Sequence, residues 1–308
     1  MTKMTLGLAV AGLVAASGVA NVNAQSSSSF AGGSVRGSSP ASNVPDTALF
    51  LGLGGSYNAF NFGTQNVYAV GTSNVFQNGI LTSTGSAAGP ANVYIGPGST
   101  LAFSVQGGYF QKFLGSNWLW GAKFAYSYLG ATSNVRNALL PQAGSFTATG
   151  STTPVPFTGN ALVGSYQTNI IQQMALIPFI GRSFEKSFVY AGAGPTLSQT
   201  RTNLNGLIGF ADINGTRTDV SGTPIDLSSS GWVYGGAAVV GATYFLDPSW
   251  FIDFSYTFAM TANQTSNYSS PFTNPNGTNG STIVGTLVGT SSGKVITQGV
   301  TASVNKAF

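Results

Sequence analysis

Trp118-Leu-Trp-Gly-Ala-Lys-Phe-Ala-Tyr-Ser-Tyr-Leu129 decides the fold. Trp118, Trp120, Phe124, Tyr126 and Tyr128 fall on one face; Gly121, Lys123, Ala125 and Ser127 fall on the other. A period of two with one apolar and one small or polar face is the pattern of a β-strand between two different environments. Trp250–Ala259 repeats it, with Trp250, Ile252, Phe254, Tyr256 and Phe258 against Asp253, Ser255 and Thr257.

Working outward, Thr47–Phe62, Leu101–Phe113, Val233–Leu246 and Lys294–Phe308 alternate in the same way. Gln167–Ser183 and Phe188–Gln199 are apolar but alternate poorly. Pro178 and Pro195 lie inside them, so a bulge at one or both is expected. That makes eight strands. The connections alternate between short, near 114–117, 184–187 and 247–249, and long, near 63–98, 130–162, 201–230 and 261–292. Asn66–Gly71 and Asn92–Gly96 are too short to span a bilayer and read as a hairpin within the first long loop. Short turns at one end and long loops at the other are the habit of membrane-spanning barrels.

Composition agrees. Only 6% of the 308 residues are charged, against about 25% in a soluble domain. The aromatic ladder therefore has no charged face opposite it to meet water, which argues against a soluble sandwich or lipocalin-like barrel. The expected fold class is all-β: an eight-stranded antiparallel up-and-down transmembrane β-barrel. Its outward aromatics are Trp118, Trp120, Phe124, Tyr126, Trp250, Phe254 and Tyr256, and its outer solvent is lipid.

Residues 1–24 read as a signal peptide, with Lys3, an apolar run from Leu6 to Ala16, and Val22-Asn-Ala24 before the cut. Residues 25–46, rich in Ser, Gly and Pro, read as a flexible tether, and 47–308 as the barrel. The net charge of +4 is too thin to imply a nucleic-acid partner.

The chain has no His and no Cys, which removes disulfides, thiolate nucleophiles, Cys/His zinc sites and His-based triads. An enzyme is not expected, nor a cofactor or metal. Asp212-Ile-Asn-Gly-Thr-Arg-Thr-Asp219 and Asp226 put acidic oxygens near Gly, but Asn-Gly is first a turn signal and full calcium spacing is absent. Asn276-Gly-Thr and Asn279-Gly-Ser read as turns. Asp253 and Lys123 point into the lumen, with Lys112 and Arg182 as further candidates. An eight-stranded lumen is just filled by side chains, so these four residues read as a charge network closing it. Lys123 and Asp253 lie on the third and seventh strands, across the barrel from each other.

Phe50-Leu-Gly-Leu-Gly-Gly-Ser-Tyr57, Tyr190-Ala-Gly-Ala-Gly194 and Gly235 through Tyr256 resemble the OmpA-like and opacity-like eight-stranded outer-membrane barrels of Gram-negative bacteria. The resemblance implies a place in the outer membrane. It also implies that Phe308 is the terminal aromatic through which the barrel-assembly machinery receives the last strand; Lys306 departs from the family's apolar pattern. The chain stops at the barrel, so the peptidoglycan-binding role of longer members is not expected. The family hosts many roles. Two stay open here: a surface barrel whose long loops touch a host or environmental ligand, or a small porin for passive diffusion.

Overall fold

The structure is a computed structural model describing residues 42–213 and 215–308. The expected signal peptide and residues 25–41 of the expected tether lie outside the described residues. Thirteen strands form one continuous antiparallel sheet. They are β1 (Thr47–Asn61), β2 (Gly63–Gln77), β3 (Ile80–Ile95), β4 (Gly98–Lys112), β5 (Trp118–Ala148), β6 (Val155–Ser183), β7 (Ser187–Ile213), β8 (Thr216–Asp219), β9 (Ile225–Asp247), β10 (Trp250–Thr261), β11 (Gln264–Asn274), β12 (Thr282–Gly293) and β13 (Ile296–Ala307).

Eight of them close a ring. The ladders run β1–β4–β5–β6–β7–β9–β10–β13 and return to β1. Closure leaves no strand edge facing lipid, which is the condition for a sheet to cross a bilayer. The outward residues are apolar: Leu51 and Leu53 on β1, Phe103 on β4, Phe124 on β5, Val240 on β9, Phe254 on β10 and Val304 on β13 are all exposed. Trp118, Trp120 and Trp250 flank the short turns at one rim; Tyr57, Tyr128 and Tyr234 mark the other. Trp250 to Met260, at ~3.4 Å per residue and a tilt of ~40°, spans about 25 Å, the height of a barrel's apolar band.

The long connections are not irregular loops. β5, β6, β7 and β9 run 31, 29, 27 and 23 residues, well beyond a membrane span. Above the barrel they meet strands made by the other connections. β2 and β3 form a hairpin, as the Asn-Val-Tyr repeats suggest; β3 joins β5, β2 joins β12, and β12 joins β11. The outer tier thus copies the strand order of the membrane tier, with β11, β12, β2 and β3 standing over β10, β13, β1 and β4. One junction is missing. β9 and β10 are laddered below, but among the described residues no ladder joins β9 to β11 above them.

The phase of two strands differs from expectation. Pro178 and Pro195 sit in the sheet with no change of register between β6 and β7 around them. The shifts fall instead at Tyr128/Ala131 and Ile170/Gln172, where the two tiers join, and at Leu204/Leu207 within the outer tier. Gly130, at φ 55°, supplies the left-handed residue for the first of these. Residues 42–46 also depart from a tether. Val44 is buried in the inner mouth, Asn43 N–H donates to Glu185 O at 2.8 Å, and Lys112 Nζ donates to Val44 O at 2.8 Å.

Candidate functional site

The interior is layered, and each layer follows from which residues alternate inward. Nearest the short turns, inward Phe50, Phe110, Phe188, Phe245 and Phe251 pack with ring centroids 4.7–6.4 Å apart, and Val44 joins them from the mouth. This apolar plug closes the lumen at its inner end; Phe110 and Phe245 are wholly buried.

Above it lies a polar lock. Lys123 Nζ from β5 stands 3.3 Å from Asp253 Oδ2 on β10, and both side chains are almost fully buried. Lys123 Nζ also donates to Tyr190 Oη at 2.7 Å, and Tyr190 donates to Asp253 Oδ1 at 2.9 Å. Gln106 Nε2 lies 3.0 Å from Asp253 Oδ2, 2.8 Å from Ser303 Oγ and 2.7 Å from Asn305 Oδ1. A buried ion pair survives desolvation only when its remaining donors and acceptors are met, and here five strands contribute to meeting them.

Lys112 and Arg182 do not belong to this lock. Lys112 is inward but sits at the mouth, paired with exposed Asp46 at 3.2 Å. Arg182 is a correction: Gly181 and Ser183 are buried on the lumen side, so Arg182 between them points outward and is exposed. Without a bulge at Pro178 the phase carries straight through, and an arginine at the inner rim reaches water easily. Tyr190 is the member that strand reading missed. Its signal was the alternation Phe188, Tyr190, Gly192 against Val189 and Ala191, masked by small residues on both faces. A Cβ on Gly241 would lie 2.4 Å from Tyr190 Cζ, so glycine there makes room for the ring.

The outward aromatics lie as their alternation implies. Trp118, Trp120, Phe124, Trp250, Phe254 and Tyr256 are exposed. Tyr126 shares their face but is half-buried, its hydroxyl donating to Gln172 Oε1 at 2.6 Å. Phe308 is exposed at the inner rim; its N–H donates to Leu49 O at 2.8 Å, and Lys306 Nζ stands 5.4 Å from its ring and 5.7 Å from that of Trp250.

Above the lock a polar cavity of about 50 Å³ is ringed by Ser104, Ser127, Ser255 and Thr297. An apolar layer follows, with Phe60, Phe62, Leu129, Tyr166, Ile170 and Val295 packed together. Higher still, inside the outer tier, lies a second cavity of about 110 Å³ with an almost wholly apolar wall. Two acidic residues of the third connection are engaged by backbone. Asp219 Oδ1 accepts from Ser221 N and Gly222 N at 3.0 and 2.9 Å, and Asp226 Oδ1 accepts from Gly206 N at 2.7 Å.

A closed ring of eight antiparallel strands, an apolar outer belt with aromatic rims and a side-chain-filled lumen define the chain as an eight-stranded membrane-spanning β-barrel. No family model and no curated protein matches it. Among solved structures it is similar to the outer membrane protein OprG of Pseudomonas aeruginosa, at 8% identity over 86% of this chain and 98% of that one, with a TM-score of 0.36. It is also similar to Ail, the attachment invasion locus protein of Yersinia pestis, at 12% identity over 76% and 99%, TM-score 0.23. The outer membrane protease OmpT of Escherichia coli aligns at 11% identity over 85% and 97%, TM-score 0.26. These scores are low, and the assignment rests on the barrel's own geometry.

Proposed function

We propose that the protein is a non-conducting, non-enzymatic surface barrel. Its working part is the outer tier, where strands built from the long connections meet a ligand or a host or environmental surface. The observation that carries this reading is the double closure of the lumen, first by the ring-packed phenylalanines and then by Lys123, Asp253, Tyr190 and Gln106. A hydrated path cannot run through either layer without breaking it. The outer tier is more than decoration, because it has a sheet and an apolar core of its own. Catalysis is disfavoured by a chain with no His and with Asp219 and Asp226 tied to backbone and Asp253 to the lock. Outer-membrane lipid solvates the belt, and the assembly machinery takes up β13 and Phe308.

The test is planar-bilayer recording of the refolded full chain. Silent bilayers are expected at protein loads that give steps with an open barrel. Stable, reproducible unit steps would overturn the closed reading in favour of a small porin.

A further inference from the structure

The 110 Å³ cavity of the outer tier has a wall made for one kind of guest. Leu140, Leu207, Leu227 and Phe272 face into it, and among the described residues no charged side chain lines it. The space exists because small residues stand where the neighbouring layer carries large ones. Ala69 on β2, Ala161 on β6 and Gly209 on β7 line it, whereas one level below Phe62, Tyr166 and Ile170 fill the interior. A packed interior loses dispersion energy around a void, so a chain that keeps one at this size gains by filling it. An enclosed apolar cavity of about 150 Å³ stays dry and accepts benzene, and this one is of the same order.

The cavity also borders a seam in the outer sheet. Its wall includes Leu227 of β9 and Tyr268 and Phe272 of β11, the two strands that share no ladder. The seam is bounded below by Ala262, just before β11, whose N–H donates to Tyr234 O of β9 at 2.7 Å, and above by β8, where Asn274 Nδ2 of β11 donates to Asp219 O at 3.5 Å. Val220 and Ser221 fold in beside the upper bound, Val220 N–H donating to Gly209 O at 2.9 Å. Between these bounds only side-chain packing separates the cavity from outside.

We propose that the outer tier binds one small, neutral, apolar molecule the size of a single aromatic ring, admitted through the seam between β9 and β11. This rests on the outer tier being the working part. Since the lumen below is closed, the molecule is captured and held.

The experiment uses the refolded full chain in dimyristoylphosphatidylcholine nanodiscs, with fluorobenzene as the probe followed by ¹⁹F NMR. Saturable uptake beyond that of empty nanodiscs is expected. Ala161→Phe, which fills the cavity, weakens it roughly tenfold or more while keeping the heat-modifiable gel mobility of a folded barrel. Leu207→Ala enlarges the cavity and admits 1-fluoronaphthalene, which the unaltered protein refuses. Uptake no greater than in empty nanodiscs overturns the proposal, as does equal saturable uptake by folded Ala161→Phe. Should Ala161→Phe not fold, the Leu207→Ala pair decides: no gain of 1-fluoronaphthalene binding overturns it. Unit conductance together with saturable fluorobenzene binding would overturn the closed lumen and leave the cavity standing. Silent bilayers without such binding would do the reverse.

Discussion

Tyr190 and Gly241 face each other across the β7–β9 ladder, and the tyrosine ring occupies the space that a side chain on Gly241 would take. The ring cannot retreat, because its hydroxyl is held by both Lys123 and Asp253. Gly241→Ala is therefore expected to destabilise the barrel by about 1–3 kcal/mol through overpacking. Gly236→Ala, on the outward face with its nearest neighbour 3.9 Å away, stays within about 1 kcal/mol. Reversible urea unfolding in lipid vesicles measures both, and equal costs would contradict the tight fit.

Asp253→Ala leaves Lys123 buried without its counter-charge, and a loss of about 3–5 kcal/mol is expected. Removing both charges in Lys123→Ala with Asp253→Ala recovers part of that loss. Additive losses in the double-mutant cycle would mean that the 3.3 Å contact carries no coupling.

Phe254 faces lipid at mid-span, so Phe254→Arg is expected to cost about 2–4 kcal/mol in a bilayer. Arg182→Ala, at an exposed outward position by the inner rim, should change stability by no more than about 0.5 kcal/mol. A large loss from Arg182→Ala would return that residue to the lumen.

Hydrogen exchange tests the seam. β9 is laddered on one side over 225–234 and on both sides from Gly235 onward. Amides of 225–234 directed toward β11 are expected to exchange freely, while those of 235–245 resist for hours. Uniform protection along β9 would mean that the outer ring closes.

The membrane tier was legible in the sequence because each of its strands separates lipid from a filled lumen. That contrast wrote itself as Trp118, Trp120 and Phe124 against Gly121 and Lys123, and put Lys123 and Asp253 on inward faces. The outer strands carry a weaker contrast. On β7, Thr200 and Thr202 turn inward and Arg201 and Asn203 outward, so polarity does not name the face. These segments therefore read as loops. Arg182 was misplaced for a related reason: Ala175 to Ile180 is apolar on both faces, and Pro178 suggested a phase change that the sheet does not make. Tyr190 hid among Ala and Gly, and only the register shows that Gly241 was its vacancy.

Four strands, β5, β6, β7 and β9, are common to both tiers, while β2, β3, β11, β12 and the short β8 belong to the outer one alone. About half of the outer wall is thus inherited from the membrane scaffold, and most of the rest is inserted as two hairpins at two places in the chain. Exchanging those hairpins would redraw the cavity and its rim while every lipid-facing ladder kept its register. The architecture separates what must be conserved to stay in the membrane from what is free to diverge with the guest.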